Sequence, residues 1–192
     1  MPQSRRKPTP IEGLKADPQE VFGHATYYHS TKTFLTVAIK NPTIPELDRK
    51  SFLYPQVTVC AFACEVYLKC IYAIEHDGQL LDGHHLKDLF DTLSEQNKKF
   101  IEMGWSNMAA HNPGFKTTEE MRPGKYKHDL ISCLEEGARA FETYRYAYEG
   151  KQLQGWALGN LPEVLRGVIL HLKPEWKRKL HPSLKSLHLH TT

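Results

Sequence analysis

The sequence predicts an all-α protein, a single bundle of about five helices, and three observations lead there. The stretch Val57 to Ile74 is apolar on nearly every side when wound as a helix, which marks a segment enclosed by the rest of the chain. Other stretches carry one apolar stripe at a spacing of three and four residues, bounded by helix start and stop residues. No segment shows sustained apolar–polar alternation, so no strand is expected.

Taken in order, residues 1–16 are rich in Pro and basic residues without a period and read as a flexible lead-in. Asp17 and Pro18 then open a helix, with Glu20 at capping-box spacing and an apolar stripe through Val21, Ala25, Tyr28, Leu35 and Ile39. That helix should stop at Asn41-Pro42. Arg49 to Tyr54 leads into the central helix, and Leu86, Leu89, Phe90 and Leu93 give the next segment one apolar side. Ser94 is placed to cap a further helix running to about residue 103. Trp105 to Tyr126, with Asn112-Pro113-Gly114 and Arg122-Pro123-Gly124, reads as a long irregular loop. Lys127 to Gly150 carries the stripe Ile131, Leu134, Ala138, Phe141, Arg145 and Tyr148. The last helix starts near Leu161 after Asn160 and packs through Val164, Leu165, Val168, Ile169 and Leu172. The bundle thus occupies 17–180, and 181–192 forms a loosely ordered tail.

Composition narrows the function classes. A net charge of +3 over 192 residues is too small to act as a nucleic-acid signature by itself, and the basic residues concentrate near the two ends. Glu65 and Lys69 interrupt the only long apolar run, which argues against a membrane span. The opening residues MPQSRRKPTP lack the apolar core of a signal peptide, so a cytoplasmic chain is expected. Cys60, Cys64, Cys70 and Cys133 form no CxxC pair and read as small buried hydrophobes. Gly-rich phosphate loops, GxSxG and HExxH are absent, and no cofactor or metal is expected. His84 and His85 are adjacent, so on a helix they would point about 100° apart and make a poor metal pair.

The residues with chemistry in them are charges on faces that should be buried. Glu65 and Lys69 share a face of the central helix in the favourable order. Arg145 falls on the apolar stripe of its own helix, which suggests that it meets Glu65 in the core. Such a polar pin could be an ion pair that fixes helix register, or a place where Arg145 holds a phosphate and Glu65 orients it. Tyr144, Tyr146 and Tyr148 around Arg145 could stack bases, although their spacing spreads them over different faces.

Three short motifs occur in sequence: Glu65-x-x-Leu68-Lys69, then Gly83-His84-x-Leu86-x-x-Leu89-Phe90-x-x-Leu93, then Arg145-Tyr146-x-Tyr148-Glu149. In order and spacing, over about residues 18–172, the chain resembles the HEPN superfamily of small helical bundles. His85 stands where such sequences tend to have Asp. The resemblance implies a helical module with Glu65, Lys69, His84, Arg145 and Tyr148 as its polar or ligand-binding centre. It also implies binding of RNA, a nucleotide or a cognate protein partner, frequent homodimerisation, and toxin–antitoxin or anti-phage settings. Active members are metal-independent endoribonucleases with an R-x4-6-H motif, in which histidine moves protons and arginine stabilises charge. Here the spacing occurs twice, Arg122 to His128 and Arg166 to His171, where chance alone gives about one match. Arg166 and His171 are the better catalytic candidates, though five residues of helix separate their directions by about 140°. A structural dimerising bundle without a ligand is the remaining alternative.

Overall fold

The computed structural model describes residues 7–113, 115, 129–135, 137 and 158–178, and these are mostly helical with one small sheet. The elements run β1 (Pro10–Lys15), α1 (Pro18–Lys40), α2 (Glu46–Ser51), α3 (Leu53–Glu75), β2 (Gln79–Leu81), α4 (Leu86–Asp91) and α5 (Glu95–His111). Residues 130–135 are helical, and α6 (Leu161–Leu172) closes the set between short 3₁₀ turns at Leu158–Asn160 and Pro174–Arg178. The expected all-α bundle is therefore the fold.

The central helix is α3, as its composition requires. It packs against α1 along one side and α6 along another, while α5 packs on α6. Cys60, Ala63, Cys64, Tyr67, Leu68, Cys70 and Ile71 are each at most 1% exposed, and Phe22, Leu89, Ile101, Leu165 and Ile169 close around them. All four cysteines are buried and free, and burial pushes the Cys64 thiol well up, so they serve as core hydrophobes. By length and composition α2–α3 could cross a membrane, but 67% of its most apolar window is already buried inside the protein. Pro55 is tolerated because it lies in the first turn of α3, where no intrahelical partner is lost.

The helix starts follow their sequence signals. Asp17 accepts the Gln19 backbone N–H at 2.9 Å to cap α1, and Ser94 accepts that of Asn97 at 3.3 Å to cap α5. Asn160 precedes α6 without a side-chain cap.

Three expectations are corrected. The lead-in is not wholly irregular: β1 pairs antiparallel with β2, Ala16 N–H donates to Gly78 O at 2.9 Å, and Asp82 N–H donates to Thr9 O at 3.0 Å. A strand occurs because the turn Asp77-Gly78, both at positive φ, brings β2 back under the chain; a Cβ on Gly78 would lie 2.6 Å from Ala16 O. The expected loop from Trp105 begins as helix instead, since α5 continues to His111 with Ile101 and Trp105 buried against α6. Finally, the stripe of α1 holds at Val21, Ala25, Leu35 and Ile39 but not at Tyr28, which is 40% exposed, while Phe22 and Lys32 are buried beside it. The 116–128 stretch, most of the Lys127–Gly150 helix and the 181–192 tail lie outside the described residues.

Candidate functional site

Glu65 sits at mid-length on α3, 8% exposed. A carboxylate there must be met by donors, because an unpaired buried charge costs several kcal/mol. Lys69, one turn on, donates to Glu65 Oε1 at 2.8 Å. The same oxygen takes Nδ1 of His84 at 2.9 Å. His84 arrives from a different part of the chain: β2 ends at Leu81, and Gly83 at φ +82° turns the backbone so that the next side chain reaches back onto α3. The two motifs, 19 residues apart in sequence, thus converge on one oxygen atom.

An ionised carboxylate only accepts, so His84 Nδ1 carries the hydrogen that points at Glu65. The His84 side chain is 72% exposed while that of Glu65 is 11% exposed, so the pair is a buried anion presenting an oriented imidazole to the surface. His85 is the backbone N-cap of α4 without a side-chain cap bond, and its Nδ1 lies 3.6 Å from Asp88 Oδ2. The adjacent histidines therefore serve different carboxylates. Among the described residues no group of three or more His, Cys, Asp or Glu could hold a metal ion. Arg145 and Tyr148, expected at this centre, lie outside the described residues, as do Arg122 and His128.

A second histidine–carboxylate pair joins α1, α3 and α6. His29 Nε2 lies 3.2 Å from Glu163 Oε1, its Nδ1 lies 3.2 Å from the Tyr67 hydroxyl, and Lys32 Nζ donates to the same Glu163 oxygen at 2.7 Å. Here the burial is reversed, with the His29 side chain 13% exposed and that of Glu163 46% exposed. Burial alone would push the Glu163 carboxyl up, but the hydrogen bonds and charges of His29 and Lys32 hold it down at about 2. Burial pushes the Tyr67 phenol up to about 12, against the opposing hydrogen bond from Thr26 and the charge of Arg166.

Arg166 therefore belongs to the surroundings of Tyr67. His171 is exposed and sets its ring edge against Phe100 of α5, with centroids 5.1 Å apart. On α6 the five residues from Arg166 to His171 turn their directions about 140° apart, and His171 faces Phe100 of α5.

His29, Lys32, Tyr67 and Glu163 were not singled out in the sequence. One signal was available: Lys32 is the lone charge between Val21 and Ile39, and it falls at three-and-four spacing with Phe22, Ala25, His29 and Thr36. Compared with protein-family models, curated proteins and solved structures, the chain matches none of them.

Proposed function

We propose that the chain is a HEPN-like helical module that binds RNA, with Glu65, Lys69 and His84 forming the contact centre. The observation that supports it is the convergence of Lys69 and His84 on one oxygen of a buried carboxylate, with the imidazole directed outward. An exposed imidazole can exchange a hydrogen bond with a ribose 2′-hydroxyl, the group that separates RNA from DNA. The reading rests on the resemblance, for which a mostly helical fold is the expected setting.

Fluorescence anisotropy with single-stranded RNA and the matching DNA tests it. RNA is expected to bind more tightly, and His84→Ala to weaken RNA binding about tenfold, roughly 1.4 kcal/mol. Equal affinity of the wild type for both strands, or unchanged RNA affinity in His84→Ala, would discard the reading.

The exposed imidazole also favours a second reading, a metal-independent endoribonuclease. In that chemistry the 2′-hydroxyl attacks the neighbouring phosphate while histidine moves the proton. Cleavage persisting in EDTA and disappearing in His84→Ala supports it; loss only in His171→Ala would transfer the chemistry to the Arg166–His171 pair, and inert protein rejects both.

A further inference from the structure

Helix α1 ends at Lys40, the chain turns at Asn41, and the short α2 leads into α3. The turn is fixed locally, since Asn41 Oδ1 accepts the Thr43 backbone N–H at 3.0 Å and the Thr43 hydroxyl at 2.8 Å. Gln56 of α3 donates to the Thr36 hydroxyl of α1 and ties the two helices about one turn from Ile39 and Leu53. In this corner lies a pocket of about 260 Å³ lined by Ile39, Glu46, Arg49, Lys50 and Leu53. Its two cations are not equivalent. Lys50 sets Nζ 2.7 Å from Glu46 Oε1, and that hydrogen bond and charge, with a smaller share from the charge of Arg49, hold the Glu46 carboxyl below its ordinary range. Arg49 has no side-chain hydrogen bond or ion pair among the described residues, and its Nε is shut off from solvent without a partner. Buried donors are nearly always satisfied, so a bare one asks for an acceptor.

We propose that this pocket binds a small carboxylate with a short apolar chain, its oxygens on Arg49 and its chain against Ile39 and Leu53. Three points select that ligand. The first is geometry: Nε and a neighbouring Nη of a guanidinium donate side by side in one plane, which matches the two oxygens of a carboxylate. The second is charge. With Glu46 neutralising Lys50, one positive charge remains, which suits a monoanion better than a phosphate dianion. The third is size and lining. The volume falls below the roughly 300–1,000 Å³ of sites that enclose drug-sized ligands, so a nucleotide is too large, while Ile39 and the 38% exposed Leu53 give the remainder of the ligand an apolar wall. Glu65 lies roughly 18 Å further along α3 than Leu53, so this site does not depend on the RNA reading.

Titration of the full chain with sodium hexanoate tests the proposal, read through the ¹H–¹⁵N signal of Arg49 Nε and the ¹³C methyl signals of Ile39 and Leu53. Both sets are expected to move saturably with a Kd on the order of 1 mM. Acetate is expected to bind severalfold more weakly, and hexanol to leave the signals in place. Arg49→Gln is expected to weaken hexanoate about tenfold on the methyl signals, with an unchanged circular dichroism spectrum. Should that variant unfold, Arg49→Lys keeps the charge without the paired donors and is expected to weaken hexanoate severalfold. Signals that stay in place at tens of millimolar hexanoate overturn the proposal. So do acetate or phosphate that bind as tightly as hexanoate, which would mark an adventitious ion only, hexanol that binds as well, or hexanoate binding that the Arg49 variants leave intact.

Discussion

The two histidine–carboxylate pairs have similar contacts and opposite burial. In the Glu65–His84 pair the carboxylate is the enclosed partner, 11% exposed, and the imidazole stands 72% in water. In the Glu163–His29 pair the imidazole is enclosed at 13% and the carboxylate is 46% exposed. Each pair also recruits a lysine onto the same carboxylate oxygen, Lys69 in one case and Lys32 in the other. The difference teaches which partner faces the solvent. An enclosed imidazole hydrogen-bonded at both nitrogens, to Tyr67 and Glu163, holds helices together. The His84 imidazole, held by Glu65, stands mostly in water, where an approaching group can meet it.

The comparison breaks most readily through stability. His29→Ala leaves a cavity and takes away the shorter of the two hydrogen bonds of the Tyr67 hydroxyl, the other being to Thr26, so a loss of about 2–3 kcal/mol is expected. His84→Ala removes an exposed ring and should cost no more than about 0.5 kcal/mol. Urea unfolding of both variants measures this; similar losses would erase the distinction between clamp and site.

The enclosed carboxylate gives the next largest effect. Glu65→Gln keeps the shape but leaves the mostly buried Lys69 ammonium without its counter-charge, and should cost about 1–2 kcal/mol. If Glu65→Gln proves neutral, the carboxylate is not what holds Lys69 and His84 together.

Acid sharpens the second pair. The Glu163 carboxyl titrates at about 2 in the fold, below its ordinary value of 4.5. A depressed folded value means that its contribution is fully present above about 4.5 and is lost as pH falls from there towards 2. Because the carboxylate is 46% exposed, solvent screening keeps that contribution below what the shift alone would give. Glu163→Gln is expected to flatten the fall in urea midpoint across this window; an unaltered slope would show that the pairing adds nothing to stability.

The smallest effect lies at the alkaline end. Tyr67 is raised to about 12 from 10, so its contribution holds below pH 10 and is lost as pH rises through 12. Burial raises Tyr72 as well, so absorbance titration of the phenols should show late-ionising tyrosine, and Tyr67→Phe should remove the component near 12 while leaving that of Tyr72.

How much of this was legible follows from what each signal depends on. The enclosed helix was readable because Val57 to Ile74 is apolar all round, and the Glu65–Lys69 pairing because it is local, one turn of helix. Ser94 and Asp17 announced the starts of α5 and α1 by residue type alone. Contacts that depend on where the chain returns were not readable. Nothing in Gly83-His84 says that the ring reaches α3, and Lys32 lies 131 residues from Glu163. β1 was missed for the same reason, since its pairing depends on the return at Asp77-Gly78 and not on alternation. The α5 extension was overlooked because Gly104 was followed by loop-forming residues further on, while Trp105 quietly continued the packed face.

Long-range ¹H–¹⁵N NMR of the histidine rings, recorded while single-stranded RNA is added, bears most directly on the division between the two pairs. The expected result is a His84 ring with hydrogen on Nδ1 whose signals move as RNA binds, beside a His29 whose signals stay in place. A His84 ring without hydrogen on Nδ1 in the free protein, or RNA-induced movement at His29 with none at His84, would contradict the account.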